Sequence, residues 1–403
     1  MSDLPEEVGL SSSALKRIHD VMSNYVAQTK IPGVTITVVR RGKPILFEFF
    51  GMMDIQSKKP IQSDTIFRIK SMTKPIVSVA ALMLYEAGQI RLDDPISMYI
   101  PEFSTARVFV GSVDGNIELA ELERPITVYH LLTHTSGLSY GQHPTTESLY
   151  TQIDVSNPKC TLGEIVSKLA QLPLAHQPGT RWTYGLSHDV LGRVIEVAAG
   201  TSLDQYLHEK IFAPLNMLDT AFCVPVENIE RLTALYEIEA DSRRLQAIQD
   251  PFDRLLTCGH KLFLGGGGLV STAHDYLQFA QMLLNDGKLG NTQVLTSETV
   301  KLMTQNHLTG SLFPIRFGDW EAKGEGYGLG VGVIVDPTVS ELAGSQGAYT
   351  WSGGASTHFW IDPEEALVGL ILSHYVPMFY YPIHRELRSL IYQAIAHERH
   401  RGS

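Results

Sequence analysis

Cysteine, net positive charge and long apolar runs are all scarce in this chain. The 403 residues hold 3 cysteines, Cys160, Cys223 and Cys258. An odd number at wide spacings reads as reduced, buried thiols in a cytoplasmic protein. Lys and Arg number 32 against 43 Asp and Glu, a net charge of −11. No basic tract of five or more residues appears, which argues against a nucleic-acid partner, because a phosphate backbone needs clustered cations. No apolar run approaches the roughly 18 residues of a membrane helix. The opening Met1-Ser2-Asp3-Leu4-Pro5-Glu6-Glu7 lacks the positive and apolar regions of a signal peptide. Internal repeats, low-complexity linkers and heptads are absent too.

What remains has ordinary globular proportions, 44% hydrophobic and 19% charged, with length for a large core. Leu15, Ile18, Met22, Tyr25 and Val26 fall at helical spacing after a run of serines. Val34–Val39 and Pro44–Phe50 read as two strands joined by Arg41-Gly42-Lys43. From Ser71 a mostly apolar segment reads as a buried helix ended by Gly88. The middle of the chain is poor in alternating patterns and rich in capped helices, with starts at Thr127, Thr161, Ser187, Ser202 and Ser271. Strands return at Tyr327–Val335, Gly347–Ser352, Thr357–Ile361 and Leu367–Ser373, before a last amphipathic helix through Ile383, Leu387 and Ile391.

Strands at both ends and helices between them predict an α+β fold. An antiparallel sheet flanked by the terminal helices would come from residues 1–75 and 286–403. A mainly helical lobe would come from 76–285, with a cleft between the two.

The junction of the two regions carries Ser71-Met72-Thr73-Lys74. On a helix, i and i+3 share a face, so Oγ and Nζ can meet. The positive field of the helix N-terminus favours alkoxide, and with burial it also favours a neutral lysine. Tyr184, in Pro178-Gly179-Thr180-Arg181-Trp182-Thr183-Tyr184, is the candidate partner, since a phenol beside a cation can act as base and then as acid. Trp351-Ser352-Gly353-Gly354 reads as a strand ending in two glycines, where a backbone N–H can approach a substrate closely. The N–H groups of Ser71 and Gly354 would form a two-donor oxyanion hole.

These stretches, with Leu131-Leu132-Thr133-His134-Thr135-Ser136-Gly137-Leu138, resemble the serine β-lactamase and penicillin-binding-protein superfamily. The likeness is to the class C β-lactamase-like branch, which includes the family VIII carboxylesterases, and it runs from about Leu10 to Ile395. It implies Ser71 as acyl-accepting nucleophile, Lys74 and Tyr184 as the base system, and no cofactor or metal. Two departures refine it. Tyr184-Gly185-Leu186 stands where class C enzymes have Tyr-x-Asn, and Trp351-Ser352-Gly353 stands where they have Lys-Thr-Gly. The amide and ammonium that would hold a β-lactam are replaced by Leu186 and Trp351. A pocket floored by Leu186, Trp351, Ser352 and Gly353 suits a neutral, apolar ester of short or medium acyl chain.

Rival readings sit in the same chain. An acyltransferase to an alcohol acceptor, a β-lactamase or D-amino peptidase, and an inactive binding protein would all use this scaffold. Gly137-Leu138-Ser139-Tyr140-Gly141 matches a nucleophile elbow, but a helix precedes it where the elbow needs a strand, and Gln142-His143-Pro144-Thr145 follows. His130 and His134 have zinc-helix spacing, but Leu131 stands where glutamate is needed. Gly265–Gly268 lacks the phosphate-loop pattern and reads as a tight turn against the cleft.

Overall fold

The computed structural model describes residues 5–113, 116–141 and 144–399. Its largest element is an eight-stranded sheet in which every pairing is antiparallel. Strands β1 (Gly33–Arg40) and β2 (Lys43–Asp54) form the expected hairpin. β1 also pairs with Leu367–Leu372, Thr35 lying opposite Leu372, so the two ends of the chain close one sheet. The order continues through Thr357–Asp362, Tyr349–Gly353, Gly332–Ile334 and Glu325–Tyr327.

Every residue of β1 is buried, because helices cover both faces. Val34, Ile36 and Val38 pack with Leu15, Ile18 and Met22 of helix α1 (Ser12–Ala27) and with Ile383, Leu387 and Ile391 of the C-terminal helix Ile383–Arg399. Val39, Phe359, Leu370 and Leu372 share a cluster with Phe279 and Met282 of the helix Ala273–Leu284.

Helix α2 (Thr73–Glu86) is apolar all round, and all its residues from Thr73 to Leu84 except Met83 are buried. Each fully buried Ile, Leu or Val contributes roughly 1.5–3 kcal/mol, so this helix anchors what surrounds it. Helix α6 (Ser187–Ala199) packs on it, α3 (Val128–Leu132) and α5 (Leu162–Leu169) pack on α6, and α4 (Pro144–Thr151) precedes α5 in the chain. Thr127 and Thr161 cap their helices as expected.

Several local expectations are corrected. The segment Tyr327–Val335 is not one strand. It breaks at Gly330 (φ +93°), where a Cβ would lie 1.9 Å from Ser78 Oγ of α2. The break lets a hairpin turn rest directly on the helix. Thr272, not Ser271, caps the next helix, and neither Ser187 nor Ser202 makes a side-chain cap bond. The middle of the chain also holds strands, in the hairpin Arg107–Val113 with Asn116–Glu121 and in Leu235–Ile238 with Leu245–Ile248. Leu235–Ile238 pairs in parallel with Tyr375–Val376. These strands are short or half exposed, so their alternation is weak.

The cysteine reading is overturned. Cys223 and Cys258 form a disulfide with their Cα atoms 5.1 Å apart, and only Cys160 is free. Val224 N–H donates to Leu256 O at 2.8 Å beside it, and spacing along the chain could not reveal that proximity. Among the described residues no helix is long and apolar enough to cross a membrane.

Candidate active site

The approach to Ser71 is held from two sides. Phe67-Arg68 pairs with Val270-Ser271. Arg68 forms an ion pair with Asp253 at 2.7 Å, and Lys70 with Asp250 at 2.6 Å. Lys70 adopts a left-handed backbone (φ +47°), uncommon for a non-glycine residue and frequent at functional sites. A 3-10 turn at Lys70–Met72 then leads into α2, placing Ser71 just ahead of the helix and Lys74 in its first turn.

Lys74 Nζ donates to Ser71 Oγ at 3.2 Å, to Tyr140 OH at 3.3 Å and to Gly266 O at 2.6 Å. Three acceptors match the three N–H bonds of an ammonium. Burial works against that charge, but the oxygens of Tyr140, Tyr184 and Asp189 outweigh it, and the net push on the Lys74 pKa is upward. The expectation of a neutral lysine is therefore corrected. Burial was anticipated; the oxygens gathered around the amine were not visible in sequence.

Tyr184 lies beside this lysine, with Nζ 4.6 Å from its ring centroid. Its hydroxyl accepts a hydrogen bond from Trp351 Nε1 at 3.3 Å. Trp182 stacks near-parallel at 6.1 Å, and His134, Phe317 and Trp351 complete an aromatic surround. Gly185 permits this placement, since a Cβ there would lie 2.4 Å from Leu138 O. The Tyr184 loop thus lies flat on residues 138–139, which brings Tyr140 in.

Tyr140 was missed as a site residue. Part of its ring faces the cleft, yet its hydroxyl is packed against Lys74, and its ring stands 5.7 Å from that of Tyr184. Burial pushes its phenol up, with Lys74 pulling the other way. Its only sequence signal is its place directly after Ser136-Gly137-Leu138-Ser139.

Gly353 and Gly354 end the strand alongside Ser71. A Cβ on Gly353 would lie 2.1 Å from Ile69 O, so only glycine lets the strand approach the nucleophile's turn this closely. Gly354 and Ser71 line one cavity of about 320 Å³. Its walls are largely apolar, with Val155, Ile165, Leu169, Leu186, Phe252 and Leu264. Leu186 is one of these walls. Trp351 does not line that cavity but packs on Tyr184, and the Ser352 hydroxyl bonds His358 Nδ1 at 2.8 Å on the other face of the strand.

The remaining motifs have other places. Ser139 Oγ accepts the Gly141 N–H at 3.1 Å within its own turn. Helix α4 begins at Pro144, while Gln142 and His143 lie outside the described residues. His130 and Thr127 close a capping box on α3. His134 is buried with neither ring nitrogen bonded to a described residue, 4.8 Å from the His188 ring. Gly265 and Gly266 press on α6, where Cβ atoms would stand 2.3 Å from His188 O and 2.4 Å from Asp189 Oδ2.

Comparison with known proteins gives consistent matches. The family described as Beta-lactamase matches residues 18–393. Esterase EstB of Burkholderia gladioli is 28% identical, covering 90% of this chain and 91% of its own. The monacolin J acid methylbutanoyltransferase of Aspergillus terreus is 32% identical, covering 85% and 84%. The solved structure of EstCE1, described as a hydrolase with promiscuous acyltransferase activity, superimposes with a TM-score of 0.81 at 27% identity, covering 94% of this chain and 98% of that one.

Proposed function

The chain belongs to the Beta-lactamase family and is a serine hydrolase or acyltransferase of that fold, and we propose that within it the protein is a carboxylesterase of the family VIII type. The observation that carries this reading is the Ser71 Oγ to Lys74 Nζ contact of 3.2 Å at the edge of an apolar cavity shared with Gly354.

In acylation, Tyr184 takes the Ser71 proton while the Lys74 ammonium stabilises the phenolate. Oγ attacks the ester carbon, and the N–H groups of Ser71 and Gly354 receive the developing oxyanion. The C–O bond to the alcohol breaks, and Tyr184 returns the proton to that oxygen. In deacylation Tyr184 takes a proton from water, whose oxygen attacks the acyl-enzyme; the bond to Oγ breaks, Tyr184 returns the proton to Oγ, and the acid departs. Tyr140, also on Lys74, is a second phenol that can share the proton.

The largely aliphatic walls suit a neutral acyl group of short or medium length. The lysine at the cavity, Lys70, is already paired with Asp250, so among the described residues lining the cavity no free cation is left for a β-lactam carboxylate. An alcohol in place of water would make the enzyme an acyltransferase. The names of the Aspergillus terreus relative and of EstCE1 favour keeping this second reading.

The test is hydrolysis of p-nitrophenyl esters by wild type, Ser71→Ala and Ser139→Ala, with product analysis in the presence of an added alcohol. Loss of turnover only in Ser71→Ala is expected. Full activity in Ser71→Ala would sink the mechanism, and an alkyl ester product would assign the transferase branch.

A further inference from the structure

One buried carboxylate has no step of its own in the mechanism above. Asp189, in the first turn of α6, is 4% exposed and lines the cavity beside Ser71 and Gly266. Its Oδ1 accepts the Gly266 N–H at 2.9 Å, and the Gly266 carbonyl in turn accepts from Lys74 Nζ at 2.6 Å. The glycine run makes this relay sterically feasible. Gly265 must clear His188 O, Gly266 must clear the Asp189 carboxylate, and Gly268 must clear Phe222 and Leu264 O. Next in the chain, Leu269 is tied to the nucleophile's segment, its O accepting from Ile69 N–H at 3.2 Å and its N–H donating to Thr73 Oγ1 at 3.1 Å.

Resting on the acyl-enzyme reading above, we propose that Asp189 is a positioning residue: it fixes the Gly266 carbonyl onto Lys74 and supplies the negative charge that keeps Lys74 an ammonium. The physical need is plain. A buried ammonium without a nearby anion gives up its proton or leaves its site. None of the other groups facing Lys74 is a lasting anion. Ser71 is neutral, Tyr184 gains and loses its proton during turnover, burial favours the protonated form of Tyr140, and the buried imidazoles of His134 and His188, both held well below their ordinary pKa by burial, are neutral. Among the described residues facing this amine, Asp189 is the only carboxylate. Burial pushes the Asp189 carboxyl up on balance, and Lys74 is the main group pulling the other way.

The proposal separates charge from hydrogen bonding. Asp189→Asn keeps an oxygen for the Gly266 N–H but removes the charge. Asp189→Ser removes the charge and leaves a smaller side chain. With the charge gone, the Lys74 pKa falls, so the basic limb of kcat/KM against pH moves to lower pH by ~1 unit or more, within the 1–3 units an adjacent opposite charge produces. At ~pH 10, near the ordinary lysine value, both variants then lose activity that wild type retains. Asp189→Glu, which restores the charge, should move the limb back even if kcat stays reduced. A basic limb unmoved in both neutral variants overturns the proposal. So does failure of both to fold by circular dichroism, since Asp189 would then be a purely structural group. Either result leaves the Ser71→Ala outcome, and with it the acyl-enzyme reading, standing or falling on its own.

Discussion

Replacing Gly353 by alanine tests the oxyanion hole by geometry alone. The added Cβ would stand 2.1 Å from Ile69 O, 2.3 Å from Thr357 Oγ1 and 3.0 Å from the Ile69 carbonyl carbon. Two of these three atoms are backbone, so neither can rotate away. Reaching an ordinary contact requires the strand and the Ser71 turn to separate by roughly 1 Å, and a displacement of that size can cost about 10²-fold in rate. Loss of one oxyanion donor independently costs about 10²–10³ in kcat, so a drop of that order is expected for p-nitrophenyl ester hydrolysis. Overpacking should also lower stability by about 1–3 kcal/mol, seen as a lower melting temperature in a protein that still folds. The neighbouring Gly354→Ala is the contrast, because a Cβ there meets nothing within 4 Å. It should cost far less than Gly353→Ala. If Gly353→Ala kept kcat within threefold of wild type, or if the order of the two were reversed, the close approach of strand and turn would not be what builds the hole.

Two further expectations concern stability. Burial holds His130 down to about 4 and His374 and His384 to about 3, and pushes His134, His188 and His358 well below their ordinary value. The folded state keeps these rings neutral while the unfolded chain protonates near pH 6.5. Stability is therefore complete above about 6.5 and falls as pH drops toward the folded values, by up to about 1.4 kcal/mol per pH unit for each fully buried ring. Burial raises the carboxyls Asp189, Glu196, Asp275 and Glu325, which offset part of this. Urea midpoints equal at pH 7 and pH 5 would contradict the account. The Cys223–Cys258 bond closes a sequence separation of 35 that carries Phe252 at the cavity and the Asp250 and Asp253 partners of Lys70 and Arg68. Replacing both cysteines with serine should cost about 4 kcal/mol in the chain-entropy account and raise KM. An unchanged melting temperature would argue that the loop is held without the bond.

The main sheet was legible because its strands carry their burial in their own composition, as Val34–Val39 and Leu367–Leu372 do. The short strands at Leu235–Ile238 and Tyr375–Val376 were not, because four and two residues are too few to display a period and their pairing is decided by distant segments. Ser71 and Lys74 were legible for a local reason, since i and i+3 meet on any helical turn. Tyr140 reaches the same amine directly and Asp189 through Gly266, from elements 66 and 115 residues further along the chain, and no local rule anticipates that.

By itself the sequence determined which atoms this protein could use. It placed a hydroxyl and an amine one helical turn apart, a phenol in a loop before a helix, and glycines where a strand must approach closely. It also replaced the amide and ammonium of the β-lactam-binding pattern with Leu186 and Trp351. The tertiary structure decided what those atoms are. Lys74 is read as an ammonium because acceptors from three separate segments converge on it. Two cysteines are joined because a tertiary contact brings them together, and the glycine run is a cradle because Asp189 stands behind it. Spacing fixes a contact within a turn, whereas charge state depends on everything that folds around the group.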